Sequence, residues 1–353
     1  MSIVFSAVDM ITEDRVALKF IDPGIVAQAK HLLMQWFERE YRVMEAVDSN
    51  SRSVCLTGDL DALALPVLSP GGGELQLSIA FFPLEWLDGN VNAFFFDQES
   101  MSVDKKLEML RDVFLAVRSV HQIEVAHRDI KRDNVRVQNP ASPDSRLKLI
   151  DFGMAVKLNS DQSIPTYNDA VGANAFSPPE CFLGLEGLRR ITVKRDLYSL
   201  GAMIYSVFNS AEFGVERSRS TDFDTIVGPQ RPAFLQASNH AERELLWDRL
   251  ISRSKYRLSP PDLLGTYSSV PASVSPLLER TYLDLCNFDY RMRPDSLDGA
   301  IRSIDSARKV LKNHKSDQVN RNRRQRIKER KLAKQEAKAA RLEDFRRISQ
   351  CLT

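Results

Sequence analysis

At 353 residues the chain has room for one large or two ordinary domains. Hydrophobic residues make up 43% and charged residues 27%, the balance of an ordinary soluble globular protein, and no apolar run is long enough to span a membrane. The net charge of +2 hides an asymmetry: residues 308–349 hold sixteen Lys and Arg against five Asp and Glu, so a tail of +11 follows an acidic body of −9.

The N-terminus "MSIVFSAVDM" has no basic segment followed by a long apolar stretch, so no signal peptide is visible. "SIVFSAVDM" and "RVALKFI" are predicted as two strands joined by the turn "ITED". "AKHLLMQWFEREYRVMEAV" has helical periodicity, and "ALALPVLS", "PGGG" and "ELQLSIAFF" give a strand, a turn and a strand. After "LEWLDGN" the character changes. "KKLEMLRDVFLAVRSVH" sets Leu107, Leu110, Phe114 and Val117 on one helical stripe. "VRVQ" and "LKLID" are short strands around the turn "NPASPDS", and "DLYSLGAMIYSVF" is apolar on every side, as a buried helix would be. "HAERELLWDRLISR" and "SPLLERTYLDLC" are further helices, and no internal repeat is present. Cys55, Cys181, Cys286 and Cys351 lack metal-ligand spacing and are expected to be reduced thiols.

Residues 126–137, "AHRDIKRDNVRV", carry an unusual density of charge between a predicted helix and a predicted strand. A hairpin there would bring Asp129, Asn134 and Asp151 together, and three oxygen-bearing side chains at one edge suit a hard cation. An Asp able to accept a hydroxyl proton beside such a site makes a phosphoryl-transfer constellation. "HRD" followed by "DFG", with Asn five residues after the first Asp, is a specific combination.

On these residues the chain resembles the eukaryotic-type protein kinases of the serine/threonine group. "VALK", "HRDIKRDN", "DFG", "SPPE" at 177–180, "DLYSLG" and "DYRMRP" at 289–294 match that family in order across residues 4–305. The resemblance implies an α+β, bilobal protein-kinase-like fold. A small β-rich lobe would span residues 1–84, a larger helical lobe residues 85–305 with a hinge near 85–88, and a basic tail residues 306–353. It implies ATP and Mg²⁺ as cofactors and a protein as substrate. Asp129 would orient the substrate hydroxyl and accept its proton, and Lys131 would steady the γ-phosphate. Asn134 and Asp151 would hold Mg²⁺, Lys19 would bind the α- and β-phosphates, and Glu85 and Leu87 would lie at the adenine-gripping hinge. Pro83, just before that hinge, cannot donate a ladder hydrogen bond. Asp196 would hold the catalytic loop, and Glu180 and Arg293 would form a buried pair.

The partner of Lys19 is argued from the helix itself. Glu40 has Trp36 and Phe37 one turn before it and Val43 and Met44 one turn after, so it sits on an apolar stripe and needs a cation. Glu38 is the second choice. In the segment 151–180, Ser160, Ser163, Thr166 and Tyr167 are candidate phosphorylation sites that could pair with Arg128. "GANAFSPPE" departs from the family pattern, because Ala173 lacks the usual hydroxyl, which bears on activity and substrate choice. The stretch 210–275 matches the family poorly and takes no role.

Three function classes follow: an active serine/threonine protein kinase, which is favoured; a pseudokinase or scaffold; and a small-molecule phosphotransferase of related fold, which "SPPE", Asp196 and Arg293 argue against. The tail reads as a solvated helix or as an arm for nucleic acid or an acidic partner. The expected location is cytoplasmic, with nuclear association compatible with the tail. The family's glycine-rich phosphate lid should precede Val4, yet the first glycine is Gly24. The first strand and the lid are thus missing from the pattern. The favoured expectation is that the segment is encoded just upstream; the competing one is a chain that binds ATP weakly.

Overall fold

The computed structural model describes residues 2–68, 72–90, 101–139, 145–159, 176–185, 189–254, 257–266 and 268–313, with 323, 325–330 and 334 in the tail. The hydroxyls proposed for phosphorylation and Ala173 lie outside these residues, as does most of the tail.

The small lobe is a four-stranded antiparallel sheet in the order β1-β2-β4-β3, with β1 Ser2–Val8, β2 Arg15–Ile21, β3 Asp61–Leu68 and β4 Glu74–Glu85. Alternation along β2 sends Ala17, Lys19 and Ile21 to one face and Leu18 and Phe20 to the other. On the outer face Phe20 stacks on Phe81 at 5.1 Å and meets the edge of Phe5 at 5.7 Å. The inner face is closed by α1, Pro23–Val47, whose stripe of Leu33, Phe37, Val43, Met44 and Val47 is buried. Phe37 and Tyr41 pack on Phe82 at 4.9 and 5.7 Å.

The chain crosses to the large lobe through residues 86–88 and the short β5, Gly89–Asn90, which pairs with β7, Val135–Gln138. A second backbone link comes from the loop after α1, where Val54 N–H donates to Leu149 O at 2.8 Å and Leu149 N–H to Arg52 O at 2.9 Å. In the large lobe α2, Val103–Gln122, starts on Ser102, whose hydroxyl accepts from Lys105 N–H at 3.3 Å. Its predicted stripe of Leu107, Leu110, Phe114 and Val117 is fully buried. β6, Val125–Ala126, and β7 follow, with a single 3₁₀ turn at Arg132–Asn134 between them. β8, Arg146–Leu149, pairs with β7, and β9, Val156–Lys157, pairs with β6.

After α3, Pro179–Phe182, the central helix α4, Arg189–Phe208, buries the consecutive residues Leu197, Tyr198, Ser199 and Leu200 and so is covered around its circumference. Gly201 permits its close approach to the later helix α9, since a Cβ there would lie 2.5 Å from Cys286 Sγ. Four helices come between: α5 Phe213–Ser220, α6 Phe223–Val227, α7 Arg231–Gln236 and α8 His240–Ser254. α6 to α8 build a second apolar core around Phe223, Phe234 and Trp247, which also takes in Leu183 and Leu185 after α3, Ile191 of α4 and Tyr290. α9, Ser275–Leu285, and α10, residues 298–313, complete the lobe, and residues 325–330 of the tail are helical. No helix among the described residues is long and apolar enough to cross a membrane.

The boundary drawn from sequence at 305/306 falls inside α10. Ala307 is fully buried, Val310 and Leu311 pack on the main core, and Arg308 pairs with Asp104 at 3.3 Å and Glu108 at 3.2 Å. The charge count alone placed Arg308 in the tail, whereas its packing places it in the body. Truncation after Asn313 is therefore expected to leave the melting temperature unchanged. Truncation after Ser306 should lower it by several degrees, because buried apolar contacts are lost. Two thermal melts check the pair.

Candidate active site

The predicted phosphate-site and metal-site residues come from four parts of the chain and meet at the junction of the lobes. β2 supplies Lys19, α1 supplies Glu40, the loop from β6 to β7 supplies Asp129, Lys131 and Asn134, and the residue after β8 supplies Asp151. Lys19 is buried, and its Nζ donates to Glu40 Oε1 at 2.5 Å and to Asp151 Oδ1 at 2.9 Å. The carboxylate on the apolar stripe of α1 thus finds its cation on the facing strand. Glu38 is not as deeply buried.

Burial alone would lower the Lys19 pKa, but the two carboxylates outweigh it and raise it, so the ammonium stays charged at any working pH. Burial pushes the Asp151 carboxyl up, yet the adjacent ammonium dominates and holds it at about 2. Glu40 is pushed above its ordinary value by burial, even with Lys19 beside it.

The sign of a pH test follows. In Lys19→Met the Glu40 carboxyl would stay buried without its cation, so its folded pKa rises further above the unfolded value of about 4.3. A group that binds protons more tightly when folded loses stability as pH rises through the unfolded pKa. The drop in melting temperature from wild type to Lys19→Met is expected to be larger at pH 7 than at pH 5. Melts of both proteins at the two values check it, and an equal drop would show that Glu40 is not held by Lys19.

The loop that carries Asp129, Lys131 and Asn134 is tied down from behind. Asp196 of α4 is fully buried and accepts from His127 N–H at 2.9 Å, Arg128 N–H at 2.7 Å and His121 Nε2 at 2.9 Å. Burial would raise its pKa, but these bonds, led by His121, bring it below the ordinary value. His127 Nε2 donates to Ile150 O at 3.1 Å, so Nδ1 accepts from Asp129 N–H at 3.3 Å, and the ring packs 4.8 Å from Phe152. Arg128 and Asp151, at φ 66° and 62°, both adopt left-handed backbone that non-glycine residues rarely take. Such strain persists only where the surroundings enforce it, and it gathers at functional sites.

Within the loop Lys131 Nζ donates to Asp129 Oδ2 at 2.8 Å. Asn134 Nδ2 donates to Asp129 O at 2.8 Å and to Oδ2 at 2.9 Å. Both amide protons of Asn134 face Asp129, which leaves its Oδ1 as an acceptor. Asn134 and Asp151 line one cavity of about 400 Å³ together with Val4, Ala17, Leu84 and Leu87. A second cavity of about 250 Å³ joins Lys19, Glu40, Asp129, Lys131 and Asp151. One amide oxygen and one carboxylate are a donor set suited to Mg²⁺, which takes one or two protein oxygens and completes its shell with phosphate and water.

Glu85 occupies a different place from the one its hinge position suggests. Its carboxylate forms a part-buried ion pair with the buried Lys148 and accepts from Cys55 N–H at 2.8 Å and Gln138 Nε2 at 3.3 Å. Its own N–H goes to Cys55 O at 3.0 Å. The side chain locks the hinge to β7 and β8, and with the N–H also engaged only the main-chain carbonyl of Glu85 is left for a ligand. Sequence reading missed Lys148, because its strand "RLKL" reads as half-exposed; a lysine flanked by two leucines was the available signal.

This arrangement agrees with wider comparison: a family model for the protein kinase domain matches residues 1–265. The chain belongs to the protein kinase domain family. Among curated proteins, death-associated protein kinase dapk-1 of Caenorhabditis elegans is 28% identical over 224 residues, 62% of this chain and 14% of that protein. Probable serine/threonine-protein kinase ireA of Dictyostelium discoideum is 33% identical over 118 residues, 33% of this chain and 11% of that protein. Serine/threonine-protein kinase PknF of Mycobacterium tuberculosis is 30% identical over 104 residues, 30% of this chain and 21% of that protein. The match thus spans about a fifth or less of each relative's length. The kinase fold of this chain, with its sheet-built N-terminal lobe and helical C-terminal lobe, is that of the family.

Proposed function

We propose that this kinase-family chain is a serine/threonine protein kinase that transfers the γ-phosphate of ATP to protein hydroxyls. The observation that carries the reading is the single cluster formed by Lys19, Glu40, Asp129, Lys131, Asn134 and Asp151. In this reading the small lobe ends near Leu84, residues 85–88 form the hinge, and the main-chain atoms of Glu85 and Leu87 hold adenine. Lys19, fixed by Glu40, binds the inner phosphates. Asn134 and Asp151 hold Mg²⁺, which when bound neutralises phosphate charge. Lys131 lies beside the γ-phosphate, and Asp129 aligns the acceptor hydroxyl and takes its proton. Positioning and fixed charge supply most of the catalysis such a reaction needs. Lys131, two residues after the Asp, favours serine and threonine as acceptors. The tail beyond α10, at +8 over residues 314–353, supports an arm for nucleic acid or an acidic partner, and the expected location is cytoplasmic.

The rival reading, a pseudokinase, is separated by nucleotide binding. The protein is expected to gain thermal stability with ATP only when Mg²⁺ is present, and Asp151→Asn should abolish most of that gain. No shift with Mg²⁺ and ATP in the wild type would overturn the proposal.

A further inference from the structure

The helices α5 to α8 fill the stretch to which the sequence assigned no role, and α5 reaches the site at two points. At its start Glu212 accepts from Arg132 Nη2 at 3.1 Å, and Arg132 directly follows Lys131 in the catalytic loop. In its middle Arg217 is only 4% exposed, and its Nη1 donates to Ser177 O at 2.7 Å. Ser177 opens "SPPE", the segment that leads into α3.

Burying an arginine is costly unless its hydrogen bonds and packing are supplied. The guanidinium lies 4.1 Å from the Phe223 ring, with Phe182 and Phe213 at 5.3 and 5.8 Å. A planar, weakly hydrated cation suits such a cage better than a strongly hydrated lysine ammonium does. Its Nη1 is also 3.5 Å from the Tyr198 hydroxyl. The same Tyr198 ring lies 4.8 Å from the guanidinium of Arg293, which pairs with Glu180. Arg217, Tyr198 and Arg293 thus form one row behind residues 177–180. Neither Glu212 nor Arg217 lines the two cavities that hold the phosphate-binding cluster.

We propose that α5 is a brace holding the segment 177–180 in register with the catalytic loop, and that Arg217 is its positioning residue for the protein acceptor. The proposal rests on the kinase reading for its effect on turnover. Its geometry predicts a split between the two substrates: the acceptor depends on the segment that Arg217 fixes, and the nucleotide does not.

The test uses the full chain with myelin basic protein as acceptor, comparing wild type, Arg217→Ala and Arg217→Lys. Arg217→Ala is expected to raise KM for the acceptor about tenfold, the loss of one hydrogen bond from a charged donor, while KM for ATP stays unchanged. Arg217→Lys keeps a donor for the Ser177 carbonyl and should recover part of that loss. Amide exchange is measured alongside and needs no activity: residues 177–185 should exchange faster in Arg217→Ala, while α2 keeps wild-type protection. Glu212→Ala cuts the brace at an exposed end, so it should fold even if Arg217→Ala does not, and it should raise acceptor KM in the same direction. Unchanged exchange at 177–185, or equal changes in both KM values, would overturn the brace. Absence of transfer by the wild type would instead count against the kinase reading, and the exchange result would still decide the brace.

Discussion

Arg293→Ala is expected to cost about 3–5 kcal/mol of folding stability, the loss seen when one partner of a buried ion pair is removed. Arg293 is 2% exposed and Glu180 wholly buried. They meet through two parallel bonds, Nη1 to Oε1 at 2.5 Å and Nη2 to Oε2 at 2.9 Å. The same guanidinium donates to Asn287 O at 2.8 Å, Lys194 O at 3.1 Å and Phe288 O at 3.4 Å, so one side chain satisfies a carboxylate and three carbonyls. Burial alone would lower the Arg293 pKa, but Glu180 more than offsets it. Removal would leave a charged carboxylate in the core with no cation. Arg293→Lys keeps the charge without the fork and should fall between. Chemical denaturation measures both, and a loss below about 1 kcal/mol in Arg293→Ala, the scale of an exposed pair, would show that the pair is not buried as described.

Asp129→Asn is expected to lower phosphate transfer about 10²–10⁴-fold, the contribution of a positioned general base, with no change in fold or nucleotide affinity. The substitution is nearly isosteric. Asp129 contacts Lys131 and Asn134 but not Lys19, so the groups assigned to nucleotide and metal keep their mutual geometry. Asp151→Asn differs: it removes an anion that Lys19 and the proposed Mg²⁺ both need, so nucleotide binding should weaken together with transfer. The two variants therefore separate by the ratio of binding loss to rate loss, read from ATP titrations and initial rates on the same preparations. Equal losses of ATP affinity in both would remove the distinct roles given to the two carboxylates.

The sequence was most readable where a rule is local. Glu40 betrayed its burial because aromatic and aliphatic residues flank it one turn either way, and the structure places Lys19 opposite it. The proximity of Asp129, Lys131 and Asn134 could be read because their short spacing leaves little freedom once the flanking β6 and β7 are placed. What stayed hidden depends on distant partners. Arg217 sits in "VERSRS", which reads as a solvated turn of helix, and it is buried only because Phe182, Phe213 and Phe223 converge from three elements. Lys148 and Glu85 are 63 residues apart, and neither carries a mark of the other. The end of the body was misplaced because a charge count weighs Arg308 as basic and cannot see that Asp104 and Glu108 of α2 neutralise it.

In the proposed function the cluster around Asp129 performs phosphoryl transfer to protein hydroxyls. Incubation of the full chain with γ-labelled ATP, Mg²⁺ and myelin basic protein, followed by analysis of the labelled amino acids, tests it most directly. Label on serine and threonine, abolished by chelating the metal and by Asp129→Asn, is the predicted result. No incorporation above that of Asp129→Asn, at a nucleotide concentration where binding is saturated, would contradict it.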